Sequence, residues 1–394
     1  MSASLAHPVP KQLAAACSPL EQWLRWEEQS NLLGFRVSTE PVPLCVAEAP
    51  AEALTLDIAP GTPAALVRRF VRGERVLFPK HPLNRDASVA FFDAPVVERW
   101  PARFTSSRTL AIVSDAALPI SVKLATDRPH PDFTQPEKTQ LREEARDAIA
   151  NSARIARIDA ALGADPRLRI ARELIVAMVR GSESGFIVRD LRPFADGNYY
   201  LPAFSLPWCG REIAARHGEG FETFWARHYA AAVGRAKALL VARYGLQYET
   251  PNPQNLLLQL DANWLPTGQV VLRDIGDANP IAPMLGAPDR PWGQPAGPLR
   301  PETANSFWAF DADETKIAGD VLAEWHAIHD RAYLAELVAF LGLPARLAAA
   351  PAPVAFAALC ELLASEAGAA LAAAGFERQR RRPSTSLGLA ALFA

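Results

Sequence analysis

The sequence predicts an α+β fold, and three observations carry that prediction. Residues 110–114 (LAIVS) and 120–124 (ISVKL) are short β-branched runs around a turn at 115–119. Residues 256–260 (LLLQL) and 269–273 (QVVLR) repeat that arrangement around the loop DANWLPTG. Long stretches of helical spacing stand between and after these pairs, so strands and helices do not alternate as they do in a parallel α/β sheet.

The elements follow in order. Residues 20–33 carry helical spacing. Residues 64–77 (ALVRRFVRGERVLF) read as a hairpin turning at Gly73. Residues 137–162 step by three and four through Leu141, Ala145, Ala148, Ser152, Ile155, Asp159 and Leu162, which predicts a helix; Asp159 interrupts its apolar stripe. Residues 168–179 read as a second helix, stopped at Gly181. Residues 185–190 (GFIVRD) read as a strand. Residues 222–244 form a long helix closed by Gly245. From about residue 313 the chain reads as helical and rich in Ala and Leu. Proline clusters at 129–136, 251–253, 280–301 and 344–353 mark loops.

Composition narrows the function. The 394 residues carry 41 Lys and Arg against 43 Asp and Glu, a net charge of −2, with a hydrophobic fraction of 49%. Near-neutrality argues against a nucleic-acid partner, which needs a basic surface. No run approaches a membrane-spanning length of apolar residues, and the start lacks the order of a secretory signal, so a cytoplasmic protein is expected. Cys17, Cys45, Cys209 and Cys360 are far apart and form no CxxC pair, which leaves free thiols as the expectation. Dinucleotide, P-loop, GxSxG and HExxH motifs are absent. His326 and His329 share a helix, where a solvated or half-buried face is a better reading than a metal site.

Three constellations could carry chemistry. The first is Thr105-Ser106-Ser107-Arg108-Thr109 followed by Lys123 and Arg128. In the predicted hairpin, Arg108 precedes the first strand and Lys123 ends the second, so pairing brings them together. Hydroxyls, a guanidinium and an ammonium then suit phosphate oxygens; a solvated, aggregation-resistant edge is the alternative. The second runs from Glu249 through Asn252, Gln254 and Asn255 to Arg273-Asp274. Asn255 opens one strand and Asp274 closes its partner, a corner of hard oxygens that suits Mg²⁺ with substrate phosphates. A rigid proline turn with a local Arg273–Asp274 ion pair is the alternative. The third is Arg189-Asp190 at the end of an apolar strand, where an ion pair is the commoner answer and ligand binding the other.

Taken in order, these motifs resemble the NRPS-independent siderophore synthetases, the aerobactin-synthetase-like family. The resemblance rests on His81-Pro82-Leu83-Asn84, Ser106-Ser107-Arg108-Thr109, Lys123-Leu124, Val188-Arg189-Asp190, Glu249 to Gln254-Asn255, and Arg273-Asp274. It covers about residues 78–280, with the helical C-terminus matching loosely.

The resemblance implies a hand-like thumb, fingers and palm architecture, with a shortened N-terminal segment at 1–79. A fingers-like region at 80–245 and a palm-like, then helical, region at 246–394 would follow. It implies an ATP- and Mg²⁺-dependent ligase that adenylates a small carboxylic acid and condenses it with an amine or hydroxyl. By resemblance Ser106, Arg108, Thr109, Lys123 and Arg128 hold phosphates, with Arg108 and Lys123 in the catalytic role. Gln254, Asn255 and Asp274 hold nucleotide, Asn255 and Asp274 the metal, and His81 and Arg189 the substrate.

The chain also departs from the family. Its N-terminal His-Pro-x-x-Lys-x-Arg segment has only a fragment here, at His7-Pro8. Trp-Gln after His-Pro is Leu83-Asn84. The histidine before Gln-Asn is replaced by Asn252 or Pro251, with one residue inserted, and an Asn cannot carry a proton through turnover. A binding homologue without turnover and a small-molecule kinase are therefore the competing readings. The Arg380-Arg381-Arg382 run reads as a solvated face or as an attractor for an anionic substrate. The apolar terminus (LGLAALFA) docks on the helical region or forms a homodimer interface; the sequence leaves both open.

Overall fold

The computed structural model describes residues 17–30, 41–85, 90–115, 117–127, 142–248, 251–284, 297–300, 307 and 317–381. Helix α1 (Pro19–Ser30) precedes β1 (Val42–Pro50), β2 (Leu54–Ile58), α2 (Ala64–Phe70), β3 (Val71–Arg72) and β4 (Arg75–Lys80). Strands β5 (Val96–Phe104), β6 (Thr109–Ile112) and β7 (Ile120–Leu124) follow, then α3 (Arg142–Leu162). Next come β8 (Leu168–Ile170), β9 (Glu173–Val179), β10 (Gly185–Asp190) and β11 (Tyr199–Pro202). Helices α4 (Leu206–Arg216), α5 (Phe221–Trp225) and α6 (Ala231–Tyr244) lead to β12 (Leu246–Tyr248), β13 (Leu256–Leu260), β14 (Pro266–Leu272) and β15 (Ala278–Pro280). Helices α7 (Gly319–Leu341), α8 (Ala352–Ala364) and α9 (Glu366–Arg381) complete the described chain.

Nine strands form one sheet in the order β2-β9-β10-β7-β6-β5-β1-β4-β3. Every pairing in it is antiparallel. The sheet curls: β4 and β10 stand far apart in that order, yet the rings of Phe78 and Phe186 are 5.6 Å apart. Phe70 of α2 plugs the interior between Phe186 and Trp100. Curling lets each strand bury one apolar row inside, here Leu110, Val122 and Val188, and offer the other row to a second layer. Helix α3 covers part of that outer row through Ala145 and Ile149 against Val176 and Ile187.

A second sheet, β11-β13-β14-β8, carries the loop that completes the site. Its core joins Leu256, Leu258 and Leu272 to α4, α5 and α6 through Phe224, Trp225 and Leu240. Helices α7 to α9 pack behind α6 around Leu334, Leu337, Phe356 and Leu359. Among the described residues no single helix is long and apolar enough to cross a membrane.

Several expectations need correction. Residues 168–179 are not a helix. They are β8 in the small sheet, a short crossover at Ala171-Arg172, and β9 in the large sheet. Burial of β9 on both faces hides the two-residue period and leaves a continuous apolar run. The first half of the 64–77 hairpin is the helix α2, which buries Leu66 and Phe70 one turn apart; the turn at Gly73 stands, with φ of 60°. The long helix over 222–244 is broken by a π-turn at Ala226–Ala230 and ends, as expected, on Gly245 in the left-handed region. Residues 137–141 of the α3 reading, 31–33 of the first helix, 313–316, the side chains of Arg380 and Arg381, Arg382 and the apolar terminus lie outside the described residues.

Helix α1 straps the two sheets together with buried ion pairs. Arg103 of β5 donates to Glu28 through Nε at 2.8 Å and through a terminal nitrogen at 2.7 Å, and it also reaches Glu21. Next to Glu28 on α1, Glu27 is fully buried and takes the guanidinium of Arg273, at the end of β14, together with the indole N–H of Trp23 at 2.9 Å. Glu27→Ala leaves the Arg273 charge buried and unpaired, a loss expected to cost about 3–5 kcal/mol. Urea unfolding of that variant checks it; a loss within experimental scatter of zero contradicts the strap.

Candidate functional site

The site begins with a hairpin. Thr109 of β6 pairs with Lys123 of β7, so their side chains share the outer face of the curled sheet. The connection from β5 is tight: the N–H groups of Thr105 and Ser106 donate to the Thr109 carbonyl at 2.8 and 3.2 Å. The Arg108 carbonyl accepts from Leu124 N at 2.8 Å, which anchors that residue beside Lys123. His81 holds the turn from behind. Its Nε2 donates to the Ser107 carbonyl at 2.9 Å while Nδ1 accepts the Leu83 N–H at 3.2 Å, which fixes the tautomer. Burial pushes the His81 imidazole down to about 4, only partly offset by the Ser107 carbonyl.

Charges alternate across the outer face. Lys123 pairs with Ile187, and Arg189 pairs with Ser121, so Lys123 and Arg189 are diagonal neighbours on β7 and β10. Arg189 in turn faces Glu173 on β9, whose Oε1 accepts from its Nε at 3.0 Å. Asp274 arrives from the second sheet. Its Oδ1 and Oδ2 accept from Lys123 Nζ at 3.2 and 3.3 Å, and Oδ1 also accepts from Arg189 at 3.1 Å. The other Glu173 oxygen, Oε2, is buried without a hydrogen-bond partner.

Local backbone geometry aims Asp274. It has φ of 63°, a left-handed conformation that short polar side chains tolerate best among non-glycine residues. Asp277 N closes the turn on the Asp274 carbonyl at 3.2 Å. Gly276 lets the turn press on α3, since a Cβ there would lie 2.7 Å from the Glu144 carbonyl oxygen. Arg273 points the other way, to Glu27 and to the Gln254 carbonyl at 2.9 Å. Arg273 and Asp274 are thus not a local pair; they anchor two different neighbours.

Electrostatics follow from this packing. Burial works to raise the Asp274 carboxyl, but Lys123, Arg189 and Arg108 hold it well below the usual carboxylate range. Burial lowers the Lys123 ammonium, opposed by Asp274 and reinforced by Arg108 and Arg189. Burial raises the Glu173 carboxyl, with Asp274 adding to that and Arg189 opposing it. Arg189 is raised in spite of its burial, because both carboxylates flank it.

The expected site residues fall into groups. Lys123, Arg189 and Asp274 meet directly, and the Arg108 charge is felt by both Lys123 and Asp274. Thr109 shares the face of Lys123, and Ser106 lies in the adjoining turn. The Asn255 carbonyl accepts from Arg273 N at 3.1 Å, which puts Asn255 across the ladder from the residue before Asp274. Gln254 N donates to Asn252 Oδ1 at 2.8 Å, so Asn252 caps its own turn. His81 lies behind the hairpin with both ring nitrogens engaged by backbone. Arg128 and Glu249 lie outside the described residues. Glu173 and Glu27 are the participants that the sequence reading missed. Elsewhere, His329 is buried rather than half-exposed, with Nε2 3.1 Å from Lys237 Nζ and Nδ1 2.9 Å from Asp330.

No protein-family model and no curated protein matches the chain. Solved structures do. Petrobactin biosynthesis protein AsbB from Bacillus anthracis str. Sterne aligns with 70% of this chain and 56% of its own at 14% identity, with a TM-score of 0.51. ATP-bound aerobactin synthetase IucA from a hypervirulent pathotype of Klebsiella pneumoniae aligns over 61% and 50% at 17% identity, with a TM-score of 0.45. Aerobactin synthetase IucC from the same source aligns over 77% and 62% at 14% identity, with a TM-score of 0.48. The mixed α+β architecture, with its curled antiparallel sheet and C-terminal helices, resembles that of AsbB. At this level of identity the likeness is one of fold, and the chain spans between 50% and 62% of the length of these three structures.

The neutral His81 yields a prediction. Its folded value lies below the unfolded one of about 6.5, so the unfolded chain binds the proton first. The stability it contributes is whole above about pH 6.5 and is lost as pH falls towards 4, by about 3 kcal/mol. Imidazole nitrogen NMR should show His81 as the neutral Nε2–H tautomer at pH 5. A protonated ring at that pH contradicts the buried turn support.

Proposed function

We propose that the chain is an ATP-dependent, AMP-forming ligase that joins a small carboxylic acid to an amine or hydroxyl. The observation that carries this reading is the meeting of Lys123 and Arg189 on Asp274, with the Arg108 charge close by. Three cations face two carboxylates there, a balance that favours an added anion.

In this reading Lys123, Arg108 and the hydroxyls of Ser106 and Thr109 bind phosphate oxygens. Lys123 exchanges its Asp274 partner for phosphate, which leaves the Asp274 carboxylate available. The oxygens of Asp274 and Asn255 are hard donors that fit Mg²⁺. Among the described residues no group of three or more His, Cys, Asp or Glu could hold a metal alone. When bound, Mg²⁺ supplies charge at those phosphate oxygens. In the same reading Gln254 belongs to the nucleotide contacts and Arg189 holds the acid.

The proposed chemistry needs no protein nucleophile. A carboxylate oxygen of the acid attacks the α-phosphorus, and the bond to pyrophosphate breaks. An amine or hydroxyl then attacks the acyl carbon, loses its proton, and AMP leaves. The fixed cations stabilise charge as it gathers on the phosphates, and the rest is positioning. Nucleotide binding without turnover is the second reading. Asn252 favours it, because its Oδ1 is committed to the Gln254 turn and the side chain cannot relay a proton.

A pyrophosphate-release screen over small di- and tricarboxylic acids, with hydroxylamine as nucleophile, tests the proposal. Acid-dependent release of pyrophosphate and AMP is expected, and Lys123→Met should lower kcat/KM by about 10²–10³. Thermal stabilisation by Mg·ATP without release under any acid establishes the second reading instead. ADP as product establishes a kinase.

A further inference from the structure

Two carboxylates hold Arg189, and they stand on different ground. Its Nε donates to Glu173 Oε1 at 3.0 Å, and its Nη2 donates to Asp274 Oδ1 at 3.1 Å. Asp274 reaches in from a turn of the second sheet. Glu173 opens β9 inside the large sheet, and its side chain is only 2% exposed. Its backbone N–H is tied to Ser152 Oγ of α3 at 3.0 Å. Of the two, Glu173 is the partner fixed in the sheet.

A break in strand register puts it there. Val188 pairs with Ile175, yet Arg189 pairs with Glu173, so Leu174 is an extra residue on β9. Leu174 and Ile175 both join the interior of the curled sheet. Regular alternation would instead set Leu174 against Arg189 on the outer face. The bulge exchanges that leucine for a carboxylate, and re-aiming a side chain beside a site is a common use of bulges.

A guanidinium carries five N–H donors. Arg189 spends Nε on Glu173 and one Nη2 donor on Asp274. Its Nη1 makes no hydrogen bond among the described residues, and it is not sealed in as Glu173 Oε2 is. In the ligase reading Asp274 turns to the metal ion, so both terminal nitrogens become available while Nε stays on Glu173. Two terminal nitrogens are a fork that grips a carboxylate through parallel hydrogen bonds. We propose, resting on that reading, that Glu173 is a positioning residue: its Oε1 holds Arg189 Nε and so aims the fork at a carboxylate of the acid. Glu173 acts through Arg189 and touches neither substrate.

Two variants separate aim from charge. Glu173→Asp keeps the charge and withdraws the oxygen from Nε; Glu173→Gln keeps an oxygen in reach and removes the charge. Both are assayed in the full chain with the acid that releases pyrophosphate fastest in the screen. Glu173→Asp should raise KM for that acid about three- to tenfold, the equivalent of one hydrogen bond, with KM for Mg·ATP within about twofold of the parent. Glu173→Gln should raise the acid KM by less than about twofold, because the bond to Nε survives. A residue that only balances charge gives the opposite order, with Asp tolerated and Gln not. Guanidinium NMR of the parent guards against a variant that fails to fold: the Arg189 Nε–H should exchange slowly with and without Mg·ATP. The proposal is overturned if the order is reversed, if both KM values rise alike, or if that N–H exchanges freely once Mg·ATP is bound. Pyrophosphate released with no acid at all in the screen ends the ligase reading and this proposal together, whereas turnover with the wrong order ends the proposal alone.

Discussion

The carboxylate of Asp274 is the constraint on which the rest of the site depends. It bridges the two sheets at the cluster, accepting from Lys123 on β7 and Arg189 on β10. Both cations are nearly buried, with side chains 9% and 8% exposed. Ions taken that far from water are tolerable only when paired, and Asp274 supplies a counter-charge to both. Glu173 takes the far side of Arg189, and the cluster becomes a chain of alternating charge.

Much of the fold serves that reach. Asp274 sits on the second sheet, so the two sheets have to be fixed against each other to within a hydrogen bond. Helix α1 does this with Glu21 and Glu28 on Arg103 of one sheet and Glu27 on Arg273 at the edge of the other. Since Arg273 and Asp274 are adjacent, the strap and the site share two consecutive residues, one facing each way. Helix α3 supplies the third support, through Asn151, whose amide donates to the carbonyls of Ile275 and Ala278 at 3.0 and 2.8 Å.

The parts legible in the sequence were those with a local signal. The turn at 115–119 and the two flanking runs fixed the pairing of Thr109 with Lys123, because hairpin register follows from turn length. The Gly245 helix stop was legible for the same reason: one residue type answers one backbone need. Glu173 was not legible. It lies in a run buried on both faces, whose apolar continuity also suits a helix, and its partner is a residue from another strand. The opposite orientations of Arg273 and Asp274 were hidden too. Adjacent opposite charges suggest a local pair, and only the left-handed turn at Asp274 and the distant Glu27 separate them.

A crystal structure with Mg²⁺ and a non-hydrolysable ATP analogue tests the central claim most directly. The account predicts phosphate oxygens within hydrogen-bond distance of Lys123 Nζ and the Arg108 guanidinium, with an Asp274 oxygen on the metal. A nucleotide bound elsewhere, with the Lys123–Asp274–Arg189 contacts unchanged, would contradict it.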